Sequence, residues 1–96
     1  MFVILLNYVK PLADVDRLAE EHREFLERNY ASGHFLLSGR KEPRTGGVIL
    51  ANAENREAIT RIIQSDPFKR ENVAEYEVIE VLPSMAGESL KDLLAH

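Results

Sequence analysis

The chain has 96 residues, 45% of them hydrophobic and 29% charged, with a formal net charge of −4 and no cysteine. A chain of this size makes one domain with one core, and folding buries roughly 65% of the surface the unfolded chain exposes. Disulfide scaffolds, thiolate zinc sites and cysteine nucleophiles are excluded, and the acidic balance argues against a nucleic-acid surface, which needs clustered Lys and Arg.

The opening stretch MFVILLNYV is rich in β-branched and aromatic residues and is stopped by Pro11. It predicts a strand, and its nearly unbroken apolarity suits one covered on both faces. The apolar run Phe2 to Leu6 is far too short for a bilayer span, which takes about 20 residues. It also lacks preceding basic residues and a following cleavage site, so no membrane association is expected and the cytoplasm is the expected compartment. Next, Asp14 or Asp16 is expected to cap a helix whose inward stripe is Val15, Leu18, Phe25, Leu26 and Tyr30. Glu20, Glu21, Glu24, Glu27 and Arg28 occupy its other faces, and Gly33 stops it.

Phe35 to Ser38 predicts a second strand, Gly39 to Gly46 a turn-rich connection, and Gly47 to Ala51 a third strand. Asn52 to Glu54 opens a second helix with the stripe Ala58, Ile59, Ile62 and Ile63. Ser65-Asp66-Pro67 ends it, because a residue before proline avoids helical geometry. Glu75 to Leu82 predicts the fourth strand. Beyond Pro83, residues 84–96 form an extension, expected to be a short helix through Leu90, Leu93 and Leu94, appended to a domain over residues 1–83.

Strand, helix, strand, strand, helix, strand is the order of an α+β ferredoxin-like sandwich, with two helices on one face of a four-stranded antiparallel sheet. The first and third strands carry large apolar groups on both faces, whereas two helices cover only one. An open apolar face is larger than a monomer tolerates, so a second copy is the expected cover, giving a homodimer with its sheets face to face. The competing expectation is that residues 84–96 fold back over that face. Assembly beyond a dimer stays open.

His22 stands four residues after Leu18 and three before Phe25, on the inward stripe. It reads either as a satisfied core histidine or as an acid/base group facing a cavity. Asp66 reads either as the carboxylate of an Asp-Pro turn or as the group that orients an imidazole. His34 and His96 are expected in solvent. Ser38 to Gly47 gathers Arg40, Lys41, Arg44, two hydroxyls and several glycines; it is either a solvated turn or a loop that holds an anion. The topology brings Tyr8, Ser38, Arg40, Arg44 and Asp66 to one edge of the sheet. His22 lies roughly 12 Å along its helix at 1.5 Å per residue, so direct contact with Asp66 is not implied. No metal-ligand cluster and no nucleotide or flavin motif is visible, so neither a metal nor a cofactor is expected.

His22-Arg23-Glu24-Phe25-Leu26, Ser38-Gly39-Arg40, Pro43-Arg44-Thr45-Gly46-Gly47, Asp66-Pro67-Phe68 and Ala74-Glu75-Tyr76-Glu77-Val78-Ile79 follow one another in the order found in the YciI-like (YCII-related domain) family, which the chain resembles from Met1 to about Leu82. The resemblance implies a ferredoxin-like fold paired into a dimeric α/β barrel, and an active-site His–Asp pair at His22 and Asp66. The function expected from residues and resemblance together is a small cofactor-independent enzyme, lyase- or hydrolase-like, acting on a small aromatic or anionic molecule. In it His22 moves the proton, Asp66 orients or charges it, Arg40 and Arg44 stabilise negative charge, and Ser38 or Tyr8 fixes orientation. The alternative is a non-catalytic dimeric module that binds a small anion or a partner protein. Cofactor-free oxygen chemistry rests on fold analogy alone.

Overall fold

The computed structural model describes residues 1–94; His96, expected in solvent, lies outside them. The elements are β1 (Phe2–Tyr8), α1 (Leu12–Arg17), α2 (Ala19–Ala31), β2 (Phe35–Arg40), β3 (Gly46–Ala51), α3 (Arg56–Gln64), α4 (Pro67–Arg70) and β4 (Ala74–Glu80), followed by a terminal 3-10 helix over Glu88–Leu94. The strands form one antiparallel sheet in the order β2-β3-β1-β4, the ferredoxin-like arrangement expected from the order of elements.

Side-chain alternation along β1 decides where the core sits. Phe2, Ile4 and Leu6 point to the helices and are buried. Ile4 lies opposite Ile49 of β3 and Val78 of β4, and Leu6 opposite Gly47 and Tyr76, so these residues share the helix-facing side. Ser38 and Arg40 of β2 pair with Ile49 and Gly47 and fall on the same side. Val15, Phe25, Ile59 and Phe68 close the core from above. The register next to the β2–β3 turn depends on Gly46, where a Cβ would stand 1.8 Å from the Leu6 carbonyl oxygen.

Apart from the later start of α3, at Arg56 behind an Asn55 cap rather than at Asn52 to Glu54, the helical layer departs from the expected one in two places. A single helix capped by Asp14 or Asp16 is replaced by two, because the chain enters α1 straight from Pro11 with no side-chain cap and turns at Leu18 (φ −103°, ψ 2°) before α2. Val15 and Leu18 are both buried, as the stripe expects, whereas Tyr30 at its far end is 39% exposed. Gly33 ends α2 as expected, at φ 84°. The second difference is α4. Ser65 does cap the C-terminus of α3, but Asp66 also starts a new helix, its carboxylate accepting the Phe68 N–H at 3.0 Å with Pro67 in the first turn, where a missing N–H costs nothing.

On the other face Val3, Leu5, Val48 and Leu50 are only half-buried, and Leu37 is 60% exposed. Beyond β4 no described residue is buried. Residues 81–87 have no regular structure, Met85 is 88% exposed, and no residue of the terminal 3-10 helix is buried.

Candidate active site

His22 sits in the first turn of α2, not two turns in, because the break at Leu18 restarts the helix at Ala19. From there its ring lies flat on Phe68 of α4, with centroids 4.0 Å apart and planes within 7°. The helix α4 thus supplies both the surface under the imidazole and, at its N-cap, the carboxylate beside it. His22 Nδ1–H donates to Asp66 Oδ1 at 2.8 Å, the direct contact that helix length alone did not imply.

Asp66 is fully buried, and three donors surround it. His22 Nδ1 and the Phe68 N–H meet Oδ1, and the Tyr76 hydroxyl donates to Oδ2. A carboxylate only accepts, so Nδ1 carries a proton, and in the neutral ring Nε2 keeps its lone pair. Nε2 has no protein partner, and no fully buried side-chain nitrogen or oxygen among the described residues lacks one, so Nε2 is open to the cavity that the ring borders. The His22 side chain is 17% exposed. Burial first, then the charge of Asp66, holds the Tyr76 phenol proton well above the ordinary tyrosine range.

The cavity beside His22 holds about 270 Å³. Its apolar walls are Leu6, Val15, Leu26, Ile49 and Phe68, and its polar groups come from Tyr8, His22, Ser38, Arg40 and Arg44. All six residues singled out from the sequence therefore meet here, five on the wall and Asp66 directly behind one of them. Tyr8 sets its ring edge against Phe68 at 6.0 Å, so it packs as well as lines. The Ser38 hydroxyl is hydrogen-bonded to Tyr30, and Arg44 is ion-paired with Asp16 of α1. The Arg44–Asp16 hydrogen bond raises the guanidinium's already high pKa, fixing its charge. Arg40 makes no ion pair among the described residues, so its charge is available to a ligand.

Three residues have a part in the site that sequence reasoning did not give them: Phe68 and Tyr76, which figured only in the family motifs, and Asp16, which figured only as a helix cap. For Phe68 a signal existed, since Asp-Pro can open a helix as readily as close one, and the residue two beyond the cap then faces the same way as its carboxylate. Tyr76 read as a strand residue alternating with Glu75 and Glu77; nothing local tied it to Asp66. Among the described residues no three His, Asp or Glu side chains gather as a metal ion would require, and no helix is long and apolar enough to cross a membrane.

Comparison with known proteins adds the following. The family model of the YCII-related domain matches residues 1–82. Among solved structures, 5-chloro-2-hydroxyhydroquinone dehydrochlorinase from Burkholderia phenoliruptrix AC1100, in complex with 2,5-dihydroxybenzoquinone, superposes with a TM-score of 0.71 at 17% identity, over 84% of this chain and 93% of that one. At that identity the likeness shows the fold. No curated protein matches the sequence.

Proposed function

Because the chain belongs to the YCII-related domain family, we propose that it is a small cofactor-independent enzyme, lyase- or hydrolase-like, in which His22 is the acid/base group for a small aromatic or anionic substrate. The contact that carries this reading is the 2.8 Å hydrogen bond between His22 Nδ1 and a fully buried Asp66, which turns Nε2 toward the cavity as a base. A solvent-filled turn or a satisfied core histidine would need neither the buried carboxylate nor the open nitrogen.

In this reading Nε2 takes a proton from an O–H or C–H of the substrate, and the electron pair left behind expels an anionic group from the neighbouring atom. The imidazolium is stabilised by Asp66, and the developing negative charge faces Arg40, with Arg44 at the cavity wall. A volume of about 270 Å³ suits one small ring. Elimination of this kind is also the reaction class that the name dehydrochlorinase gives to the structural neighbour. The working form is a pair of copies joined through the open sheet faces, since Val3, Leu5, Val48 and Leu50 are only half-buried and Leu37 is exposed.

The test is turnover of a panel of chlorinated and hydroxylated phenols and benzoates. His22→Ala should cost on the order of 100-fold or more in kcat/KM, the usual contribution of a positioned general base, with Asp66→Asn close behind. Turnover unchanged by both substitutions overturns the assignment. Ligand binding that survives His22→Asn but weakens with Arg40→Ala, in a protein that turns nothing over, would identify a binding module instead.

A further inference from the structure

The two oxygens of Asp66 keep different company. Oδ1 is shared by His22 and the Phe68 amide, while Oδ2 accepts from the Tyr76 hydroxyl. The Phe68 N–H, fixed by the first turn of α4, already aims Oδ1 at His22, so Tyr76 is not needed for aim. What its hydroxyl changes is charge. We propose that Tyr76 is a positioning residue that acts on His22 through Asp66: its hydroxyl draws negative charge onto Oδ2 and thereby limits how tightly the pair holds a proton on the imidazole. The catalytic consequence rests on His22 being the working base; the effect on its titration does not.

The placement follows from the sheet. Tyr76 stands opposite Leu6 in the β1–β4 register, on the helix-facing side, directly beneath the start of α4. Asp66 is fully buried, so deletion of the hydroxyl leaves Oδ2 unpaired, and a carboxylate with one charge-assisted donor fewer pulls harder on the proton it shares with His22. Because the phenol proton is held so firmly, Tyr76 stays a donor throughout the range in which an imidazole titrates. Other titratable and charged groups surround the pair: Tyr8, Arg40 and Arg44 on the cavity walls, the Glu21–Arg70 ion pair between α2 and α4, and Lys69, whose ammonium lies 5.9 Å from the centroid of the Tyr76 ring. All of them remain when a single hydroxyl is removed, so the difference isolates it.

The experiment is an NMR titration of the His22 ring in the intact chain. In Tyr76→Phe the midpoint should rise by about half a pH unit, part of the full strength of a hydrogen bond to a charged group. Site-specific 3-fluorotyrosine at position 76, a stronger donor of the same shape, should move it the other way, and this second variant decides the matter should the phenylalanine fail to fold. Val78→Ala, on the same strand and face but without a hydrogen bond to Asp66, should leave the midpoint in place. A midpoint that is unmoved or lowered in Tyr76→Phe, or one that does not fall with the fluorinated residue, overturns the proposal and leaves Tyr76 a packing group. In turnover assays the acid limb of kcat/KM should follow the NMR midpoint. If the midpoint moves while no substrate is turned over, the link stands and the enzymatic reading fails.

Discussion

Phe2, Ile4 and Leu6 on one side of β1 and Val3 and Leu5 on the other are equally apolar, yet the first three are buried and the other two only half so. The first set packs in one core with residues of α1 to α4; the second has only its strand neighbours Val48, Leu50, Glu77 and Ile79 beside it in the register. Hydrophobicity alone therefore does not tell a covered face from one that awaits a cover, because both need the same side chains. The residues of the candidate site do separate them: Ser38, Arg40, Tyr8 and Tyr76 all fall on the helix side by register, with Glu77 on the other, and the cavity opens where Gly47, between Leu6 and Arg40, contributes no side chain to the wall.

Four substitutions would break or sharpen the contrast between these faces. The largest effect belongs to the covered one. Ile4→Ala should cost about 2–5 kcal/mol in urea unfolding, the range for truncating a fully buried aliphatic, whereas Leu5→Ala in dilute protein should cost markedly less. Equal losses in dilute solution would mean that both faces are sealed within one protomer. Next comes the buried phenol. The folded state holds the Tyr76 proton above the ordinary value of 10.0, so both states keep it below about pH 10 and only the unfolded state releases it above. Stability is therefore fully present below that point and should fall by up to about 1.4 kcal/mol per pH unit beyond it. Tyr76→Phe should remove this share of the slope, as urea midpoints on either side of about pH 10 would show. The smallest effect on stability belongs to Leu37→Lys on the open face, within about 0.5 kcal/mol in protein dilute enough for the copies to be apart. The same change should abolish pairing in sedimentation; a wild-type chain that sediments as one copy at micromolar concentration would remove the case for a second protomer.

Much of this was legible in the residues themselves. The four strands follow from short apolar runs, β-branched in all but β2, bounded by Pro11, Gly33 and the turn-rich segment Gly39 to Gly46, and Gly33 takes the positive φ its position requires. His22 and Asp66 stood out because an ionisable group on an apolar stripe and an Asp-Pro at a helix end each raise a question of partners. Their contact was hidden for two physical reasons. The chain breaks at Leu18, which an apolar stripe running unbroken through that position does not reveal, and this moves His22 to the start of a helix. Asp66 starts α4, which carries it back over the sheet, and one four-residue helix leaves almost no pattern of its own. Tyr76 was beyond reach for a further reason: its partner lies 10 residues away and is recognisable only once β4 is in register beneath α4.

The flat stack of Phe68 on His22 also makes the imidazole a built-in reporter. An aromatic face 4.0 Å away shields whatever lies above it, so the carbon-bound protons of this ring should resonate upfield of those of other histidines and be recognisable without assignment. A small aromatic molecule entering the cavity would add its own ring current to the same protons. Occupancy could thus be followed in a mixture of candidate compounds before any turnover is measured.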